Sequence, residues 1–190
     1  MEYILIIISA VLVNNIVLAQ FLGICPFLGV SKKLSTAIGM GGAVLFVMTL
    51  ATIVTYLIQT YILVPLHIDF LQTVVYILVI AALVQMVELI LKKVSPALYQ
   101  ALGVILPLIT TNCAILGVAI LVIRKDYNLI ESTVFAVANA IGFTLALVIF
   151  SSIRERLELL DIPESMKGVP ISLIVAGLLA LAFMGFANIV

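Results

Sequence analysis

Charged positions divide the chain into six long apolar runs, at residues 3–31, 34–66, 70–87, 94–123, 132–153 and 168–190. A helix that crosses the hydrocarbon core of a bilayer needs about 20 apolar residues, so the pattern predicts six spanning segments. Runs two, three, five and six read as continuous helices. Runs one and four do not. Gly23, Pro26 and Gly29 interrupt the first; Gly103, Pro107, Thr110-Thr111-Asn112 and Gly117 interrupt the fourth. Proline removes a backbone donor and disfavours helix at the residue before it. A break is therefore predicted at Cys25, directly before Pro26.

Composition agrees with this reading. Apolar residues make up 65% of the chain and charged residues 9%, whereas soluble domains run near 45–50% and about 25%. The expectation is a single all-α integral membrane domain over 1–190. Nine basic residues balance nine acidic ones, which argues against a nucleic-acid partner. A cleavable signal peptide is not expected: no basic segment precedes the first apolar run, and that run outlasts a typical signal core.

The loops set an expected orientation. Lys32, Lys33, Lys92, Lys93, Arg154, Arg156 and Lys167 fall on one side, and Arg124 and Lys125 on the other. The positive-inside rule puts the richer side in the cytoplasm and both termini outside. The longest loop, about 154–169, is then cytoplasmic, either a docking contact for a cytoplasmic partner or a plain solvated connection.

An internal repeat marks the site. Cys25-Pro26-Phe27-Leu28-Gly29-Val30 returns as Cys113-Ala114-Ile115-Leu116-Gly117-Val118, and these are the chain's two cysteines. A weaker match, offset by 97 residues, aligns Ser35-Thr36, Ala43, Phe46 and Leu50 with Ser132-Thr133, Ala140, Phe143 and Leu147. Three spans per half make an inverted-topology repeat, with repeat one at about 1–95 and repeat two at about 96–190. Such folds place broken helices and their binding site near the midplane. Cys25 and Cys113 lie roughly 10–16 Å inside opposite charged edges at about 1.5 Å per helical residue, so both reach the middle. Short helices beginning at the cysteines would aim N-terminal amides at the sulfurs and favour an anionic centre.

Two thiolates are half of the usual iron–sulfur or zinc ligand set. Other readings of the pair are small apolar core residues or a disulfide, which the membrane interior disfavours. The single histidine, His67, sits near Asp69 in a loop, where a surface role fits better than ligation. Glu88 could handle protons or sodium, or pair with Lys92 four residues on. Asn14, Asn15, Gln20, Thr110, Thr111, Asn112 and Asn139 could line a polar cavity or bond between helices. Gly39, Gly41, Gly42, Gly177 and Gly185 fit close helix packing.

The segments Leu22–Lys33 and Thr111–Val118 closely resemble the A subunits of the Rnf electron-transport complexes, themselves similar to the D and E subunits of the sodium-pumping NADH:quinone oxidoreductase. The resemblance covers essentially the whole chain. It implies a bacterial or archaeal cytoplasmic (inner) membrane, and that Cys25 and Cys113 supply half the ligands of a [2Fe–2S] cluster. The homologous Rnf E subunit, of opposite topology, supplies the rest. It further implies that electrons are relayed across the bilayer in a ferredoxin:NAD oxidoreductase that moves Na⁺ or H⁺. No nucleotide or flavin motif occurs in the chain, so flavins and other clusters are expected on other Rnf subunits. The rival readings are a redox-silent secondary transporter on the same repeat, or an assembly subunit.

Overall fold

The structure, a computed structural model, describes residues 2–31, 33–66, 69–94, 106–159, 163 and 166–186. Lys32, His67 and Gly103 lie outside the described residues, as does part of the 154–169 loop. Among the described residues the chain is helical, with no strand. The order is α1 (Glu2–Ile8, prolonged by a π-helical turn Ser9–Val13), α2 (Ile24–Gly29), α3 (Leu34–Ile58, prolonged by Gln59–Leu63) and the short α4 (Val64–Leu66). There follow α5 (Gln72–Val94), α6 (Leu106–Thr110), α7 (Cys113–Arg124), α8 (Leu129–Leu157) and α9 (Val169–Met184).

Among the described residues, four helical stretches are long and apolar enough to cross a membrane: Leu34–Leu63, Gln72–Ile90, Pro107–Arg124 and Leu129–Leu157. Tyr3–Val13 and Val169–Met184 are apolar but shorter. The outward faces match a hydrocarbon setting. On α5, Val74, Ile77 and Leu78 are exposed, an arrangement that water would penalise at about 25 cal/mol per Å².

The centre of the fold is the α3–α8 pair, the most extensive helix contact among the described residues. α3 contributes Ala37, Met40, Val44, Met48 and Ala51; α8 contributes Ala136, Ala140, Phe143, Leu147 and Phe150, all buried. Small residues let the backbones approach, which is how helices associate where lipid removes the hydrophobic drive. Gly41 is the tightest point: a Cβ there would clash with Thr144 Cγ2 and come 2.7 Å from its Oγ1. α7 packs on the same pair through Ala114, Ile115 and Val118.

α8 is ended as electrostatics requires. Glu131 accepts from the Asn128 backbone N–H at 3.0 Å in its first turn, and Arg154 and Arg156 occupy its last turn, each charge opposing the helix dipole. The helix runs to Leu157, so Arg154 and Arg156 are helical and the connection to α9 is shorter than the charge pattern predicts.

Between α1 and α2 the backbone is irregular. Asn15 holds it. The side chain is fully buried; its Nδ2 donates to Val11 O at 3.0 Å and to Gly142 O on α8 at 2.9 Å. Its Oδ1 accepts from Val17 N and Leu18 N. One amide thus satisfies four backbone groups that hydrocarbon could not.

Filling the α3–α8 contact tests this core. Gly41→Ala is expected to destabilise the detergent-solubilised protein by about 1–3 kcal/mol. Adding Thr144→Ala should recover much of that loss. Thermal unfolding of both variants checks it, and no recovery in the double variant would refute the assigned contact.

A cysteine site at two helix breaks

Both repeats of the cysteine motif sit at helix starts. Cys113 opens α7; Cys25 is the second residue of α2. The first break falls two residues before Cys25 rather than at it. Gly23 caps α2 with φ 80°, a left-handed conformation suited to glycine. Pro26 then lies in the first turn, where its missing N–H costs no helical bond. At the second break, Asn112 caps α7, its Oδ1 accepting from Ala114 N at 3.0 Å.

The two breaks are strapped together. The Gly23 backbone N–H donates to Cys113 Sγ at 2.9 Å. Gly23 has no room for a side chain: a Cβ would meet Phe143 Cε2 at 2.9 Å, Ala114 Cβ at 3.1 Å and Asn112 Oδ1 at 3.2 Å. The motifs also cross reciprocally. Leu22, ahead of Cys25, packs so closely on Gly117 that a Cβ there would lie 2.6 Å from its Cδ1. Leu108, ahead of Cys113, faces Gly29, the matching glycine of the first motif, where a Cβ would lie 3.6 Å from its Cδ1. Cys25 is exposed and Cys113 half-buried, and both are free thiols.

α2 is six residues long and needs outside support. Phe27 stacks on Phe150 of α8, centroids 4.2 Å apart. Arg154, one turn further, places its guanidinium 5.9 Å from the Phe150 ring centroid. Its Nη1 donates to Leu28 O and to Ser31 Oγ, each at 2.8 Å. A cation therefore satisfies a terminal carbonyl of the helix that carries Cys25, the favoured pairing at a helix C-terminus. The sequence presents Arg154 as a loop charge. Its position one helical turn past buried Phe150 is the signal that points inward.

The remaining polar candidates divide. Asn14 bonds Ser9 Oγ, Asn139 donates to Phe135 O, and Thr111 donates to Pro107 O, all local bonds. Gln20 and Phe21 are exposed beside the first break. Glu88 and Lys92 are both engaged on α5. Among the described residues no group of three or more metal-type side chains occurs. Gly39 and Gly42 border an apolar groove of about 560 Å³ between α3 and α5, with Phe46 on its wall. Phe46 is 54% exposed while its repeat partner Phe143 is 0% exposed; the aligned positions thus have unlike surroundings within this chain.

Free cysteines at interrupted, mutually packed helices within an apolar bundle define a membrane protein with a built polar centre. Residues 3–190 match the family model described as "Rnf-Nqr subunit, membrane protein", and the chain belongs to that family. It is 62% identical to the A subunit of the ion-translocating oxidoreductase complex of Syntrophotalea carbinolica, over 98% of this chain and 96% of that protein. It is 60% identical to the A subunit of the Na⁺-translocating ferredoxin:NAD⁺ oxidoreductase complex of Acetobacterium woodii, over 99% and 98%. It is 55% identical to the corresponding A subunit of Vibrio vulnificus (strain YJ016), over 100% and 98%.

Arg154→Gln removes the clamp on α2. Hydrogen bonds to charged groups contribute about 1.5–3 kcal/mol each. Amide exchange over residues 24–31 should therefore accelerate by about tenfold or more, while α8 stays protected. Unchanged exchange there would show that Phe27 alone anchors the helix.

Proposed function

We propose that this chain is the A subunit of an Rnf-type complex, a membrane component of a redox-driven ion translocase. In this reading Cys25 and Cys113 supply half the ligands of a [2Fe–2S] cluster shared with a homologous subunit. Whole-length similarity to the A subunits of such complexes supports the membership. The observation that carries the site is the Gly23 N–H bond to Cys113 Sγ, which ties the two motif segments into one locus.

The residues present fit such a group. Four thiolates hold a [2Fe–2S] cluster; this chain offers two, so a second subunit brings two more. The Gly23 amide aimed at Cys113 Sγ and the amide ends of α2 and α7 suit a negatively charged sulfur centre. When bound, the cluster would supply one-electron transfer at mid-membrane depth. The chain's own task is to hold two sulfurs at fixed positions, exclude water with Phe27, Phe143 and Ala114, and donate amide hydrogen bonds.

The same reading takes the six apolar runs as a three-plus-three inverted repeat with the broken segments first and fourth. The homologous E subunit, in the opposite orientation, closes the site. Both termini lie outside the inner membrane, and flavins and other clusters belong to further Rnf subunits. A charge change at the midplane then biases which side of the repeat interface is open, which would couple electron flow to Na⁺ or H⁺.

Cys25→Ala and Cys113→Ala should each remove one [2Fe–2S] electron paramagnetic resonance signal from the purified complex. Each should also lower electron transfer by at least about two orders of magnitude, with subunit composition preserved. Retention of the signal and the activity in both variants would favour the redox-silent transporter.

A further inference from the structure

Asn112 is 3% exposed, and its Nδ2 has no hydrogen-bond partner among the described residues. A buried donor left unpaired is destabilising, so the amide needs a reason. Capping α7 does not provide one. The cap uses only Oδ1, and serine or aspartate caps as well without a spare N–H. The unexplained atom lies inside the cysteine site. It is one residue from Cys113, and the Oδ1 of the same group stands 3.2 Å from where a Gly23 Cβ would be. Gly23 in turn donates to Cys113 Sγ. Among the described residues no acceptor serves this N–H, and the neighbouring thiol site is where one would be added.

We infer that the Asn112 Nδ2–H donates to a sulfur of the cluster assembly, either the Cys113 thiolate or a bridging sulfide, and raises its reduction potential. The inference rests on the shared-cluster reading above. Its physical basis is simple: reduction adds negative charge to the sulfurs, and a preorganised donor stabilises the reduced form more than the oxidised one. Asn112 is therefore both the cap that starts the Cys113 helix and a determinant of how readily the site accepts an electron.

Asn112→Ser in the intact complex separates the two roles, because serine keeps the cap through Oγ and deletes the separate amide arm that carries the N–H, leaving only a hydroxyl hydrogen on the capping atom itself. In a redox titration followed by electron paramagnetic resonance, the cluster signal should persist and titrate at more negative potential. At fixed ambient potential its oxidised-to-reduced ratio should rise by about tenfold, or about 59 mV for one electron. A signal with unchanged midpoint overturns the inference. If the serine variant loses its signal, the wild-type complex decides. Side-chain ¹⁵N-asparagine labelling with pulsed resonance on the reduced cluster should reveal a ¹⁵N coupling, and its absence overturns the inference. Failure of the underlying reading is distinct: the signal would then survive Cys113→Ala.

Discussion

The two interrupted segments of this molecule are joined by the hydrogen bond from the Gly23 N–H to Cys113 Sγ. It connects residues far apart in sequence, and it depends on two features acting at once. Gly23 must adopt a left-handed conformation to turn the chain into α2, and it must lack a side chain to sit against Ala114, Asn112 and Phe143. Any side chain at this position would strain the backbone and push the two breaks apart. The reciprocal seating of Leu22 on Gly117, with Leu108 facing Gly29, extends the same contact on either side.

Opening helices inside a membrane exposes backbone groups that lipid cannot satisfy. The chain answers with side chains that have several partners. Asn15 serves four backbone groups at the first break. Asn112 caps α7 at the second. Arg154 reaches back from α8 to close the C-terminal end of α2. Some threonines and serines bond carbonyls of their own helices and so bury their hydroxyls, among them Thr52 and Thr55 on α3 and Ser172 on α9. α8 is the frame for most of this. It receives Asn15 at Gly142, stacks Phe150 on Phe27, and carries the arginine.

Part of this is legible in the sequence. The C-x-x-L-G-V repeat locates both helix starts, because paired cysteines with glycine four residues on are rare enough in an apolar chain to stand out. Proline chemistry alone puts the first break two residues late: a proline in a first helical turn looks the same in sequence as one that ends a helix. Arg154 reads as a loop charge because the charge pattern cannot say where α8 stops. The offset match of Phe46 with Phe143 is real as a pattern, yet one ring faces a groove and the other the cysteine site. Long-range contacts decide such differences, and periodicity carries no information about them.

The two cysteines have unequal environments. Cys113 is half-buried and already has an amide donor, whereas Cys25 is exposed on a short helix. Beside it, Ala19, Gln20 and Phe21 are exposed in non-helical backbone, and Phe21 has φ 55°. Irregular backbone of this kind does not face acyl chains; it is found buried in protein or lining a cavity. The face that carries Cys25 is thus ill suited to lipid. In the shared site proposed above, Cys113 would be held by its own chain and Cys25 presented outward for a partner to enclose.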